Sequence, residues 1–166
     1  MLKTATNLCF AILSEGVETW NRWRHQFPTQ IPVLRGVDLN KADLRYANLR
    51  GACLGGVQAA SADFTHADLS EAELQQADMT CADLYAARLR FASLCGCSLI
   101  GANLAQADLS GTDLADSDLC GADLTGASLN GALVCGADFR GAIGLTSDML
   151  RATIGAEDAL LPEKLN

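Results

Sequence analysis

Residues 102–126 read ANLAQ-ADLSG-TDLAD-SDLCG-ADLTG, which is five units of five residues in one register. The same register runs through 21 consecutive units, from Val37 to Gly141, without an insertion or a deletion. The first position is Ala or another small residue, the second is usually Asp, Asn, Glu or Ser, and the fifth is often Gly. The third position is Leu, Phe, Met or Val in every unit except the one that contains Ala59. A repeat of this regularity governs the architecture of the whole chain.

A period of five residues fits neither an α-helix nor a straight strand. Five residues advance a helix by about 500°, so the leucines would spiral around it without forming a stripe. On a straight strand, an odd period sends successive leucines to opposite faces. Either structure would leave about half of the leucines in water, although each buried leucine contributes about 1.5–3 kcal/mol.

A chain that turns once per unit buries every leucine. The first and third positions are two residues apart, so they share one face of a short extended segment. If the last two residues form a corner, the next first and third positions also face inward, and Gly suits a corner that needs an unusual φ. Four units then close one square coil, and successive coils stack at about 4.8 Å. The sequence therefore predicts an all-β solenoid of about five coils.

The A(D/N)LxG-like pattern resembles that of the pentapeptide repeat family. The stretch GVETWNRWR, residues 16–24, resembles the N-terminal cap of short cyanobacterial members. The resemblance implies a right-handed quadrilateral β-helix, whereas the spacing alone does not give the hand. Some members of the family resemble DNA in shape and charge and bind type II topoisomerases such as gyrase.

Caps are expected at both ends, because a solenoid exposes its apolar axis and unpaired backbone there. We assign residues 1–32 to a helical N-terminal cap and lead-in, residues 33–142 to the β-helix, and residues 143–166 to a C-terminal cap. An amphipathic capping helix is predicted over Asn7–His25, with Gly16 as its weak point. Its apolar residues are Cys9, Phe10, Leu13, Val17, Trp20 and Trp23.

The C-terminal cap contains a second helical signal. Thr146 or Ser147 can N-cap a short helix that ends near Thr153. Two interpretations of the caps stay open, since they either only seal the ends or also join two copies into a homodimer.

Charge and composition restrict the partners and the compartment. The chain has 12 basic and 20 acidic residues and a net charge of −8, which argues against direct nucleic-acid binding. The apolar run Leu8–Leu13 is shorter than a signal h-region of about 7–15 residues or a membrane span of about 20. We therefore expect neither a leader nor a membrane segment. Seven cysteines without a CxxC motif indicate reduced thiols and a cytoplasmic protein.

Residues four units apart stack in columns on the outside of the coils, and two neighbouring sides are acidic. One side carries Asp38, Asp78, Asp118 and Asp138, and the other carries Asp43, Asp63, Asp83 and Asp123. These carboxylates either solubilise the protein and bond to turn amides or imitate a duplex. The repeat region has 14 carboxylates and 6 basic residues, against roughly 15 charges on about 25 Å of DNA. A monomer is therefore a poor mimic, and a dimer joined end to end would be a better one.

The run Tyr85–Phe91, YAARLRF, departs furthest from the consensus. Its outward positions, together with a residue of the same column two coils earlier, form a predicted partner-binding surface. Those residues are Tyr85, Arg88, Arg90, Phe91 and Arg50. Exposed Tyr and Arg are typical of interface hot spots, although drift on a tolerant surface would explain the same residues.

The sequence contains few residues that could form a catalytic site. Only two histidines occur, and we interpret His66 as an isolated surface residue at a corner. Cys95 and Cys97 take outward and inward positions, so they cannot jointly hold Zn²⁺ well. A filled axis also leaves no deep substrate pocket. We therefore expect no enzyme, no cofactor and no metal. The sequence favours a protein-interaction scaffold that uses flat outer faces, and the alternative is an acidic DNA mimic that binds a type II topoisomerase.

Overall fold

The protein consists of a two-helix cap, a stack of square coils and a C-terminal cap. A computed structural model describes residues 2–165, with side chains from residue 5 onward. Helix α1 spans Leu2–Ser14 and helix α2 spans Val17–Gln26. After the coils, helix α3 spans Ser147–Arg151 and is followed by a short 3-10 helix, Ala156–Asp158.

The coils are held together by parallel bridges between second-position residues that are four units apart. The series begins with Val33 and Cys53 and continues one unit at a time to Asp123 and Ile143. Because each side of a coil is one unit long, pairing between every unit and the fourth unit after it gives four sides per coil. Beyond α3 the spacing lengthens, and the last two bridges are Leu133–Ile154 and Asp138–Leu160.

The interior contains the first and third positions of the units, as the period predicts. Third-position residues such as Leu84 and Leu89 are fully buried, and so are most first-position alanines. Three polar or thiol side chains also occupy buried first positions, and each donates to a backbone carbonyl. These hydrogen bonds are Thr112 to Leu89 at 2.8 Å, Ser117 to Leu114 at 2.6 Å and Cys97 to Leu74 at 2.9 Å. No polar group at these three positions lacks a hydrogen bond, so burying these groups in the interior costs little free energy.

Each corner is a β-turn closed by the next first-position N–H. Ala87, for example, donates its backbone N–H to the carbonyl of Leu84 at 3.0 Å. The fifth position lies in the left-handed region, as for Ala86 at φ 52°, which explains the many glycines there. Within residues 2–165, eleven residues other than glycine also have positive φ, and all of them are fifth-position residues. A left-handed conformation costs an L-residue about 1–2 kcal/mol, so the packed coil imposes it.

The N-terminal cap differs from the single helix expected over Asn7–His25. Two helices are present, and the chain breaks between them at Gly16, which has φ 110° and ψ 161°. That conformation is not helical and favours glycine, so the weak point is a complete break. Phe10, expected on the apolar face, is exposed, whereas Leu13 and Trp20 are buried.

The C-terminal helix begins as its sequence predicts. The Thr146 hydroxyl accepts the backbone N–H of Met149 at 3.2 Å, which confirms the N-cap. Helix α3 ends at Arg151, two residues before the predicted end. Within the described part of the chain, residues 2–165, none of the helices has the length and apolar character needed to cross a membrane.

Helix α2 covers the free backbone of the first coil with polar side chains. The indole of Trp20 donates to the carbonyl of Asn48 at 2.7 Å. The Asn21 amide donates to the carbonyl of Tyr46 at 2.9 Å and accepts the N–H of Asn48 at 2.8 Å. These bonds satisfy an edge that would otherwise be open to pairing with another chain.

Candidate protein-interaction face

One side of the solenoid brings the predicted partner-binding residues together. Arg88 is at the centre, where its backbone pairs with Asp68 in one neighbouring coil and Asp108 in the other. The two corners that flank this side carry the remaining members. We define the aromatic–arginine face as Tyr46, His66, Tyr85, Arg88, Arg50, Arg90 and Phe91. Their positions in the repeat place these residues close together. Residues separated by four units lie one coil apart in the same column, and residues separated by eight units lie two coils apart.

The first corner is a ladder of aromatic rings. The rings of Tyr46 and His66 are stacked, with centroids 5.2 Å apart and an interplanar angle of 15°. Tyr85 meets His66 edge-on at 5.8 Å. His66 is therefore not isolated, contrary to the interpretation from the sequence. Tyr46 and His66 are both fifth-position residues and lie one full coil apart, a signal that the column register contains and that was missed.

The second corner contains two arginines and an exposed ring. Arg50 pairs with Glu71 at 2.6 Å, and Arg90 lies 3.6 Å from a carboxylate oxygen of Asp108. The guanidinium of Arg90 is also 5.7 Å from the centroid of the exposed Phe91 ring, within the range of a cation–π contact. These contacts hold the side chains in place, which lowers the entropy that binding would cost.

A shallow groove lies between the aromatic ladder and the centre of the face. Its volume is about 400 Å³, and its walls include Tyr46, Asn48, His66, Asp68 and Arg88. Among the residues that the structure describes, Arg88 forms neither an ion pair nor a side-chain hydrogen bond, and it is exposed. The groove thus offers aromatic surface beside an unpaired cation.

The two acidic sides use their carboxylates in the turns. All eight predicted aspartates accept the backbone N–H of the residue two positions later, at 2.9–3.3 Å. Arg45 pairs with Asp43 at 2.6 Å and approaches Asp63 at 3.6 Å. Hydrogen bonds from Arg45 lower the pKa of Asp43 to about 2. Those from Arg140 hold the pKa of Asp138 well below its usual range. Each of the eight carboxylates therefore has a structural task in its turn.

One cluster on an acidic side brings potential metal ligands together. Ligand atoms of Asp118, Cys120 and Asp138 all lie within 4.8 Å of one another. Burial, reinforced by the two carboxylates, raises the pKa of the Cys120 thiol to about 11. The thiol is therefore protonated at neutral pH and donates a hydrogen bond to the carboxylates. The carboxylate of Asp138 also forms an ion pair with Arg140. The three side chains and Arg140 therefore form one cluster joined by hydrogen bonds and an ion pair.

Cys95 and Cys97 lie on opposite sides of the coil wall, as the register predicts. Cys97 is buried, and burial raises the pKa of its thiol to about 12, whereas Cys95 is partly exposed on the outside. All seven cysteines are free thiols.

Comparison with solved structures finds similar proteins from cyanobacteria and a plant. HetL, a pentapeptide repeat protein involved in heterocyst differentiation regulation from the cyanobacterium Nostoc sp. strain PCC 7120, is 38% identical, with a TM-score of 0.42. The match covers 66% of this chain and 53% of HetL, so this chain spans about half of HetL. Rfr23, from the cyanobacterium Cyanothece 51142, is 24% identical over 87% of this chain and 99% of its own, with a TM-score of 0.50. A pentapeptide repeat protein from the Arabidopsis thaliana thylakoid lumen is 28% identical over 61% of this chain and 74% of its own, with a TM-score of 0.40.

A comparison with curated protein sequences finds no match. The family model described as pentapeptide repeats matches residues 33–57, 60–90, 87–126 and 102–141. These matches cover more than half of the sequence and coincide with the coils, in which each side pairs with the side four units further along the chain. The chain belongs to the pentapeptide repeat family.

Proposed function

We propose that this protein is a non-catalytic interaction scaffold that binds another protein through the aromatic–arginine face of a right-handed coil. The observation that carries the proposal is Arg88, an exposed cation in a groove walled by Tyr46 and His66. Arg88 forms no ion pair with any residue of the described range, 5–165. Aromatic and arginine side chains contribute most of the energy of protein interfaces. An acidic group on the partner would complement Arg88.

The rigidity of the coil supports the same function. Tyr85 donates its backbone N–H to the carboxylate of Asp83 at 3.0 Å, and its carbonyl accepts the N–H of His66 at 3.0 Å. Side chains on such a fixed backbone lose little freedom on binding, so more of the contact energy appears as affinity. A flat side of paired extended segments also suits contact with a folded partner.

The test is affinity capture from the native host, followed by binding measurements with the purified, identified partner. We expect the double variant Tyr85→Ala/Arg88→Ala to bind at least about 30-fold more weakly, because a hot-spot pair contributes about 2 kcal/mol or more. Ile100→Ala is the matched control, since Ile100 is exposed to the same 41% as Tyr85 but lies at a different corner. Equal affinities of the double variant and the control would refute the assignment of this face.

The alternative, an acidic mimic of duplex DNA that binds a type II topoisomerase, is supported by the two acidic columns. We place it second because all eight aspartates accept turn amides and because arginines neutralise some of them. Mimicry requires that added protein inhibit gyrase supercoiling and that salt weaken the inhibition. Unchanged supercoiling at stoichiometric excess would eliminate this alternative.

A homodimer through the C-terminal cap is part of the proposal, and so is a cytoplasmic location in which the seven thiols stay reduced. Three outward positions near this end carry exposed apolar residues, Ile143, Ile154 and Leu160, in place of the polar residues usual at second positions. Light scattering of the wild type and of Ile154→Glu tests the dimer. A monomer at all concentrations for the wild type would contradict it.

A further inference from the structure

Helix α2 contains a buried arginine that forms no ion pair within the part of the chain that the structure describes. Arg24 is only 8% exposed. Its guanidinium donates to the carbonyl of Gln30 at 2.7 Å and to the carbonyl of Arg50 at 2.8 Å. Its Nε–H has no hydrogen-bond partner among the residues that the structure describes. Burial lowers the pKa of Arg24, and electrostatic interactions with Cys9 and Asp68 oppose this effect only in part. A desolvated and incompletely paired guanidinium attracts an anion.

The same arginine lines a notch between the N-terminal cap and the first coils. The notch has a volume of about 200 Å³, and its walls include Thr29, Gln30, Arg50 and Glu71 beside Arg24. Drug-sized ligands occupy pockets of about 300–1,000 Å³, so the notch suits a small group. The charged side chains in its walls are Arg24, Arg50 and Glu71. Arg50 pairs with Glu71 at 2.6 Å, so the positive charge that remains without a carboxylate in the walls is that of Arg24, in a protein of net charge −8.

We propose that this notch is a binding site for a carboxylate group, held by the guanidinium of Arg24 with Arg50 at the mouth. The planar N–H donors of a guanidinium match the two oxygens of a carboxylate. A monoanion balances the single positive charge, whereas a phosphate dianion would face the carboxylate of Glu71. The Thr29 hydroxyl in the wall supplies a further donor. This site adjoins the aromatic–arginine face, because Arg50 belongs to both. Binding of a free carboxylate goes beyond the proposed scaffold function, since it needs no partner protein.

The direct test is an NMR titration of the arginine Nε–H resonances of the full-length, ¹⁵N-labelled protein. Sodium acetate replaces sodium chloride at constant ionic strength, so that only the chemistry of the anion changes. We expect a saturable shift of the Arg24 Nε–H signal. Either an absent shift or a linear one without saturation would overturn the proposal.

Two arginine variants, each of which breaks an exposed ion pair, provide the matched comparison. Arg50→Gln removes the cation at the mouth but keeps the backbone carbonyl that accepts from Arg24. We expect it to bind acetate about two- to fivefold more weakly, the effect of an exposed ion pair. Arg140→Gln breaks an exposed ion pair of the same 2.6 Å length outside the notch and should leave acetate affinity unchanged. Equal effects of the two variants would refute the site.

A second arm distinguishes the source of the carboxylate. It compares acetate with a short end-blocked peptide that contains one glutamate, and with the same peptide carrying glutamine. Tighter binding of the glutamate peptide than of acetate assigns the notch to an acidic side chain of a protein. Equal binding of acetate and the glutamate peptide assigns it to small free carboxylates. Equal binding of the glutamate and glutamine peptides, with no acetate effect, would reject a carboxylate site.

Discussion

Leu84 and Tyr85 are neighbours in the chain, yet truncation of each to alanine should have opposite consequences. Leu84 is a third-position residue with no exposed surface, and Tyr85 is a fourth-position residue that is 41% exposed. We expect Leu84→Ala to destabilise the fold and keep partner binding. Tyr85→Ala should leave the fold nearly intact and weaken partner binding.

The magnitudes follow from burial. Removing a fully buried leucine side chain from a close-packed interior costs about 3 kcal/mol of unfolding free energy. Tyr85 loses mainly its edge contact with His66 at 5.8 Å, which is worth about 0.5 kcal/mol. For a urea m-value of about 1–3 kcal/mol/M, Leu84→Ala should lower the midpoint by about 1–3 M and Tyr85→Ala by only about 0.2–0.5 M.

The assay is urea unfolding followed by far-UV circular dichroism, with the slope compared between variants. An unchanged slope ensures that the midpoint reports stability. If Tyr85→Ala shifted the midpoint as much as Leu84→Ala, then the inward placement of third positions would be wrong. If Leu84→Ala were folded but unable to bind the partner, then the aromatic–arginine face would not act as an independent surface.

Two further predictions concern corners and charges. Gly144 and Gly131 both have positive φ. A Cβ added at Gly144 would lie 2.5 Å from the Cα of Thr125, whereas a Cβ added at Gly131 would have no neighbouring atom within 4 Å. Gly131→Ala should therefore cost about 1 kcal/mol and Gly144→Ala about 1–3 kcal/mol more; equal losses on urea unfolding would contradict the tight contact. The pKa of Asp43 is lowered to about 2 by Arg45, so its stabilising contribution is complete above about pH 4, the unfolded value, and is lost as the pH falls towards 2. A carboxyl NMR titration with a midpoint near 4 would contradict this, and Asp43→Asn should flatten the stability profile between pH 4 and 2.

The column register predicted from the sequence is confirmed residue by residue. Asp43 pairs with Asp63, and Asp68 pairs with Arg88, as a coil of four units requires. The register also places Tyr46 and His66 one coil apart in the same column, so the stack of their rings follows from the sequence. The contact of His66 with Tyr85 does not follow from the register. It joins a fifth position to a fourth position and depends on the direction of the side chains at the corner.

The sequence alone determined the coil, the inward residues and the membership of each side. This was possible because, in a regular solenoid, each residue contacts residues at fixed separations along the chain, namely one unit and four units. The tertiary structure alone decided what happens where the period stops. The break at Gly16, the exposure of Phe10 and the burial of Arg24 all depend on how an aperiodic segment packs against the first coil, and no spacing in the sequence encodes that contact.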